Sequence, residues 1–319
     1  MLEYTGERFL PSESGQIRYE HFHRYALCLP AVAGKSVLDI ASGEGYGSAL
    51  LARVARSVTG VDVDQAAVAH ANAQYAGREN LRFLHGSAAA IPLPDQSVEV
   101  VTSFETIEHH DQHEEMVSEI KRVLQPGGLL IISSPNKLTY SDIPNYQNPY
   151  HVKELYYDEF AALLGRHFAH ARYFGQKLAV ASFIYNLIEH ECQPPRPLSG
   201  SAAAFDAPFQ PLPQPLYFVA LCSDDPARVA QTLDTFYLDG NEDVWNDQMQ
   251  AHAAQIAELV AHNKTREAEW KQAHEALKQQ NAEKEAVIRR LTENLDSIIQ
   301  SRAWNTMQTL WKWRGKLPF

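Results

Sequence analysis

Two carboxylates and a glycine turn carry the first chemistry in this chain. A short apolar run, Ser36-Val37-Leu38-Asp39-Ile40, ends in Ala41-Ser42-Gly43-Glu44-Gly45-Tyr46-Gly47, and a second carboxylate, Asp62, follows 19 residues after Gly43. Glycines at Gly43 and Gly45 let backbone come close to a ligand and accept positive φ. The helix start that follows offers free N–H groups. A carboxylate at the tip of the next strand can bridge the two hydroxyls of a ribose. The pattern therefore predicts a nucleoside-containing ligand. It departs from the G-x-G-x-x-G spacing of dinucleotide sites, because the glycines are Gly43-x-Gly45-x-Gly47. Asp39 and Glu44 place negative charge where a pyrophosphate would sit, which disfavours an anion and favours a nucleoside with a cationic tail.

These residues need a scaffold that brings strand tips together. Strands are expected at 36–40, 58–61, 81–84, 98–103 and 129–133, alternating with helices at 46–55, 65–75 and 114–124. Such alternation means βαβ units and a parallel sheet covered on both faces. Pro126-Gly127-Gly128 closes the third of these helices. Beyond Pro135 comes a polar, Tyr-rich loop to Tyr150, then a helix at 153–168, a strand at 171–179 and another at 216–222. The stretch 194–215, rich in Pro, Ala and Gln, reads as loop.

The tail differs in kind. Alternating steps of four and three from Met249 to Ile298 meet apolar residues at ten of fifteen positions, with no Gly or Pro in between. This is the seam of a coiled coil, cleanest from Ile288 to Ile298, with Asn281 at an a position where Asn sets register. A solitary solvated helix is the alternative. The last segment carries Trp304, Trp311 and Trp313 beside Lys312, Arg314 and Lys316, a pattern suited to an anionic membrane surface, to a partner groove or to the end of a coiled coil.

Charge narrows the function classes. The 319 residues carry a net −11, with 17 basic against 31 acidic residues up to Gln248 and 11 against 8 beyond it. An acidic body argues against nucleic acid, whose binders need a basic surface. Cys28, Cys192 and Cys222 are far apart and form no CxxC pair, so free buried thiols are expected rather than a disulfide framework or a zinc site. The N-terminus lacks a basic-then-apolar leader and no apolar run reaches the roughly 20 residues that span a bilayer. A cytoplasmic protein, peripheral at most to the inner face of a membrane, is expected.

VLDIASGEGYGSALLA, VTGVDVD, HGSAAAIPLPDQSVEVVTSFETIEHH and VLQPGGLLIISSPN together resemble the successive motifs of class I S-adenosylmethionine-dependent methyltransferases. The resemblance implies a Rossmann-like α/β fold with a seven-stranded sheet, its last strand antiparallel, and S-adenosylmethionine as cofactor. By position it implies that Asp39 faces the methionyl ammonium directly or through water, above a turn made by Ala41, Gly43 and Gly45. It implies that Asp62 holds the ribose, that Val63 packs on the adenine and that Ser87 and Ala88 meet the adenine edge. Phe104 and Glu105 would close the methionine end. Ala41 stands where the family usually has its first Gly, and Ser87 where Asp is common.

The flanks, TGERFLP with YEHFHRYAL and later NPYHVKELYYDEF, resemble a bacterial branch associated with surface-polysaccharide biosynthesis, some of whose members end in coiled-coil tails. That resemblance implies a sugar hydroxyl of a glycan or lipid-linked saccharide as acceptor, a homo-oligomer joined through the tail, and contact with a membrane or a polysaccharide-assembly complex. A small metabolite, lipid or quinone acceptor is the first alternative; a cofactor-binding scaffold without turnover is the second. A sugar hydroxyl is a weak nucleophile at neutral pH, so a base contributes about 10²–10⁴-fold. The candidates are Glu105, Glu108, His109 and His110 after the fourth strand and His151 after the fifth, with His109, His151 and Glu108 preferred. His21, His23 and Arg24 would line a lid or simply pack. His109, His110, Asp111 and His113 are too loosely spaced for a metal site, and none is expected.

The expected organisation is a helical lid at 1–30, a methyltransferase domain at 31–224 with a loop insertion at 181–215, a linker at 225–248, a coiled-coil helix at 249–302 and a Trp/basic segment at 303–319.

Overall fold

The computed structural model describes residues 15–179, 214–230, 235, 237 and 244–314. The chain divides into two compact units, 1–245 and 246–319.

The first unit is one seven-stranded sheet in the order β3-β2-β1-β4-β5-β7-β6. Its strands are β1 (Ser36–Ile40), β2 (Ser57–Asp62), β3 (Leu81–His85), β4 (Val98–Ser103), β5 (Leu124–Pro135), β6 (His170–Gln176) and β7 (Tyr217–Ser223). The pairs β1–β2, β1–β4, β2–β3 and β4–β5 are parallel, whereas β7 runs antiparallel to both β5 and β6. The order reverses between β1 and β4. A doubly wound sheet opens its ligand crevice at such a point, outside the carboxyl ends of the strands.

Helices α1 (Gln16–Val32), α2 (Tyr46–Leu51), α3 (Gln65–Gln74), α4 (His113–Val123) and α5 (Tyr157–His167) surround the sheet, and the short α6 (Pro226–Val229) follows β7. The central strands are buried on both faces and read as nearly continuous apolar runs, as parallel sheets require. Leu38, Ile40, Val101, Leu130 and Ile132 point to one core with α4 and α5; Val37, Val100, Leu129 and Ile131 point to the other with α1, α2 and α3. Cys28 and Cys222 are buried free thiols; Cys192 lies outside the described residues.

Several elements depart from their expected bounds for local reasons. Helix α2 stops at Leu51 instead of running to residue 55, because the next turn is drawn off: the Asn80 side chain donates to the carbonyls of Ala52 and Ala55, and Gly34 N–H donates to Val54 O. Pro126-Gly127-Gly128 does not end α4; α4 ends at Val123 and β5 begins at Leu124, passing through that tripeptide with a register shift against β4 between Val98 and Val100. The loop insertion falls outside the described residues except for 214 and 215. The expected linker holds α6, capped by the Asp225 carboxylate on Ala227 N–H, and Thr235 accepts or donates a 2.8 Å hydrogen bond with His23 Nε2.

The second unit is helical. Helix α7 (Val244–Gln300) starts before the expected 249 and stops at Gln300, and α8 (Arg302–Arg314) begins after a break at Ser301. The hydroxyl of Ser301 accepts from Trp304 N–H at 3.2 Å and donates to Ile298 O at 2.7 Å, so one side chain caps both ends of the break. From 251 to 300 every residue of α7 is exposed, apolar seam included.

Gly45 sits at φ 89°, and a Cβ there would lie 2.4 Å from the Phe83 ring. Replacing Gly45 by Ala should therefore cost about 1–3 kcal/mol of stability through left-handed strain and overpacking. Urea denaturation followed by circular dichroism checks this; an unchanged midpoint would refute the tight packing of the turn on β3.

Candidate active site at the carboxyl edge of the sheet

The loop leaving β1 turns through three left-handed residues, Ala41 (φ 56°), Gly43 (φ 54°) and Gly45 (φ 89°). It is tied to β2 by Asp62. Gly43 N–H donates to Asp62 Oδ2 at 2.7 Å and Asp64 N–H to Oδ1 at 2.9 Å, so both carboxylate oxygens are fixed at the strand tip with lone pairs to spare. Asp64 in turn caps α3 through Ala66 N–H. Val63, beside Asp62, is 72% exposed on this edge. Ser87 and Ala88 are half-buried after β3, and the Ser87 hydroxyl accepts from Ala89 N–H.

Asp39 differs from the expectation of a carboxylate open to a ligand. It has no exposed surface. Ser48 Oγ donates to Oδ2 at 2.6 Å, Thr102 Oγ1 to Oδ1 at 2.8 Å, and the Tyr25 hydroxyl lies 3.3 Å from both. Burial pushes the carboxyl up to about 6 against the pull of these hydroxyls. Its work is to hold α1, α2 and β4 together beneath the turn. Direct contact with an ammonium is closed to it in this arrangement, because its oxygens are enclosed. Gly47 belongs to the same arrangement: a Cβ there would stand 1.9 Å from the Tyr25 ring.

Phe104 is also buried, edge-on to Tyr25 at 5.1 Å between ring centres. It packs into the core, so only Glu105 of that pair reaches the edge. Glu105 takes φ 49°. Its N–H donates to Ser133 Oγ at 3.1 Å, and the same hydroxyl donates to Glu105 Oε1 at 2.6 Å. The other partner of Glu105 is Arg24, whose Nη1 lies 3.6 Å from Oε1.

Arg24 is the residue that sequence reasoning undervalued. It is 1% exposed, stacks over the Tyr217 ring at 4.9 Å and donates from Nη1 to Gln176 Oε1 at 2.8 Å. Its Nε and Nη2 are buried with no hydrogen-bond acceptor among the described residues. A buried guanidinium with two free donors is a receptor for a carboxylate. No signal in the sequence brings α1 to β6 and β7, which lie about 150 and 190 residues away. His21, also on α1, hydrogen-bonds to the Tyr46 hydroxyl at 2.9 Å through Nδ1.

The expected catalytic residues come together from two loops. Glu108 and His109 lie in a single 3₁₀ turn, Ile107–His109, held by the buried Ile107. Val152 and Lys153 N–H groups both donate to Glu108 O, at 2.7 and 3.1 Å, which sews the later loop to this turn. The His109 and His151 rings meet edge to face with centres 5.2 Å apart. Tyr140 stacks on the other side of His151 at 5.2 Å. His109 Nδ1 lies 3.0 Å from Tyr150 O, and His151 Nδ1 lies 2.5 Å from Glu154 Oε1. Both partners only accept, so each Nδ1 carries the proton and each Nε2 keeps its lone pair. Asn148 Nδ2 donates to His151 Nε2 at 3.0 Å. Glu108 is 1% exposed, and burial together with Glu105 raises its carboxyl well above the ordinary range. His110 points elsewhere: its Nε2 faces Met116 Sδ at 3.2 Å, while His113 Nε2 donates to His110 O.

Residues 38–132, from β1 into β5, match the family described as a methyltransferase domain. A "probable S-adenosylmethionine-dependent methyltransferase" of Mycolicibacterium smegmatis is 44% identical over 51% of this chain and 63% of its own length. One from Mycobacterium tuberculosis is 40% identical over 51% of this chain and 60% of its own. A demethylmenaquinone methyltransferase of Clavibacter sepedonicus is 32% identical over 32% of this chain and 41% of its own. Among solved structures, the YcgJ protein of Bacillus subtilis is 25% identical, covers 49% of this chain and 71% of its own, and aligns with a TM-score of 0.44. The chain thus spans about 60% of the length of the mycobacterial relatives. The matched segment, which carries most of β1, the parallel strands β2 to β4 and most of β5, is similar in sequence to a methyltransferase domain and to relatives named as S-adenosylmethionine-dependent.

The Asp39 carboxyl has its pKa raised on folding, from 3.8 to about 6. The folded chain therefore holds this proton more tightly, and the contribution of Asp39 to stability is greatest below about pH 4 and falls as pH rises toward 6. In Asp39→Asn that slope should be absent, so the stability advantage of the wild type over the variant should shrink as pH rises from 4 to 6. Melting temperatures of both proteins at pH 4, 5, 6 and 7 check it; parallel curves would refute it.

Proposed function

We propose that this chain is an S-adenosylmethionine-dependent O-methyltransferase acting on a sugar hydroxyl of a glycan or lipid-linked saccharide. The observation that supports this reading is that Asp62, Val63 and the Gly43–Gly45 turn share the carboxyl edge of the sheet, while His109 and His151 come together in the loops after β4 and β5 with Nδ1 partners that leave Nε2 as the accepting nitrogen. Asp62 retains lone pairs for the ribose hydroxyls, and Val63 offers an apolar face to the base. The two free donors of Arg24 suit the methionyl carboxylate. When bound, S-adenosylmethionine supplies an electrophilic methyl group on a sulfonium. One of the two imidazoles, His109 or His151, receives the single proton of the acceptor hydroxyl at Nε2, and Glu108 Oε1 lies 3.9 Å from His109 Nε2. A groove of about 620 Å³ lined by Tyr156, Tyr157, Tyr173 and Phe218 is where ring faces and hydroxyls could receive a saccharide.

The quinone-methyltransferase relative favours a second reading, a small apolar acceptor in the same groove. The tail supports association of two or more copies through the seam Ile288, Leu291, Leu295 and Ile298, each more than half exposed on α7. Trp311 and Trp313 with Lys312 and Arg314 on α8 support contact with an anionic lipid surface. No helix among the described residues is long and apolar enough to cross a membrane.

Calorimetric titration tests the cofactor reading. The wild type should bind S-adenosylmethionine in the micromolar range and leave NAD unbound, and Asp62→Ala should weaken binding at least tenfold and abolish methyl transfer. Equal binding by the variant would remove Asp62 from the site. Screening methyl transfer to lipid-linked saccharides against quinones then separates the two acceptors; binding without transfer to any would favour the scaffold.

Association is tested separately by sedimentation. Leu291→Asp with Leu295→Asp should convert an oligomer to a monomer while S-adenosylmethionine binding is kept. A wild type already monomeric at micromolar concentration would refute the seam.

A further inference from the structure

We propose that Glu108, His109 and His151 form a binding site for a first-row divalent metal cation. One ligand atom from each of the three lies within 4.8 Å of the others. This set was not legible as a metal motif, because His151 is 42 residues beyond His109 and the nearer His110 and His113 turn away.

Three independent features of the geometry point to a cation. The first is Glu108. Both of its carboxylate oxygens are buried, and neither takes a hydrogen bond from any described residue. A carboxylate in that position is costly unless a positive charge joins it. Among the described residues the Arg24 guanidinium also acts on its charge, but no ion pair between them forms, and His109 Nε2, 3.9 Å from Oε1, belongs to a ring that already carries its proton on Nδ1.

The second is the orientation of the imidazoles. A metal-ligating histidine characteristically donates its other N–H to a carbonyl or carboxylate, which fixes the tautomer and raises the basicity of the ligating nitrogen. His109 does this with the Tyr150 carbonyl and His151 with the Glu154 carboxylate. At His151 the Asn148 amide competes, with Nδ2 donating to Nε2 at 3.0 Å. Asn148 has a second partner in the Tyr140 hydroxyl at 3.3 Å, so that amide has another oxygen to bond when the imidazole is engaged.

The third is rigidity. The two hydrogen bonds to Glu108 O hold the loops in one register, so that ligands are positioned before any cation arrives. Two imidazoles and one carboxylate form a mixed nitrogen–oxygen set that suits Mn²⁺, Fe²⁺ or Zn²⁺ better than Mg²⁺ or Ca²⁺, and it leaves coordination positions open. Glu105 adds negative charge to the neighbourhood of Glu108.

The use of such a cation rests on the proposed methyl transfer. A metal at this place binds the acceptor oxygen and lowers the pKa of its hydroxyl, a stronger activation than an imidazole base offers to a saccharide. The imidazoles then serve as ligands instead of bases. The binding itself does not depend on that reading.

The test uses the full chain without an affinity tag, stripped with chelator and titrated with MnCl₂ and, separately, ZnCl₂. Electron paramagnetic resonance of free Mn²⁺ and calorimetry give the stoichiometry. One site per chain is expected. Glu108→Gln and His151→Ala should each weaken it at least tenfold, while His170→Ala, on the exposed edge of β6, should leave it unchanged. Melting temperature adds a second readout. The cation should raise it in the wild type and not in Glu108→Gln. Weak binding that persists in Glu108→Gln and His151→Ala, or none in the wild type, would overturn the site. S-adenosylmethionine is titrated into the same metal-free preparation. Cofactor binding without the metal site would defeat this proposal alone; the metal site without cofactor binding would defeat the methyltransferase reading and leave the site standing.

Discussion

The buried Asp39 carboxylate is the interaction on which the rest of the edge depends. It takes hydrogen bonds from Tyr25 on α1, Ser48 on α2 and Thr102 on β4, three elements that no continuous stretch of chain connects. A carboxylate with no exposed surface needs such partners, since removing it from water without them costs several kcal/mol. Once Asp39 is fixed, the glycine turn above it has one path, and that path carries Gly43 N–H to Asp62. Two carboxylates at adjacent strand tips thus divide the labour. One is fully enclosed by side-chain hydroxyls and orders the scaffold; the other, also buried but held by two backbone N–H groups at the strand tip, keeps capacity for a ligand.

Much of the sheet was legible because parallel strands buried on both faces leave a strong apolar signature, and because the Gly43–Gly45 turn and Asp62 fall at fixed places in it. The bounds of β4 agree with the sequence pattern to the residue. The depth of Asp39 was not legible, since its enclosure is made by hydroxyls from Tyr25, Ser48 and Thr102 whose types are common everywhere. Phe104 misled for a related reason: its position after β4 suggests the edge, while its size and the neighbouring Tyr25 ring draw it into the core. Arg24 was hidden more completely. It sits among histidines and tyrosines on α1, and only the long-range pairing of β6 with β7 gives it Gln176 and Tyr217 as neighbours.

The second loop cluster shows where short-range pattern and tertiary structure part. His109 and His151 were selected by type and by position after strands. The tautomer of each came only from its partner, a carbonyl for one and a carboxylate for the other. Glu154 stands three residues after His151, a spacing consistent with many surface helices, so it gave no warning. In α7 the reverse holds: the pattern of the seam is visible in the sequence, while the single chain leaves it exposed from 251 to 300.

The position of Arg24 has a consequence for synthesis of the chain. Helix α1 is made first, yet its arginine rests on Tyr217 and Gln176, and its Tyr25 reaches Asp39 and Phe104. Tyr217 leaves the ribosome nearly 200 residues after Arg24. By then Tyr25, Ser48 and Thr102, the hydroxyl partners of Asp39, have long been made, whereas Arg24 still lacks its ring and the paired β6–β7 edge. The setting of this arginine is thus coupled to completion of the sheet, and a nascent chain stalled before Tyr217 has the material for the glycine turn but no support for Arg24.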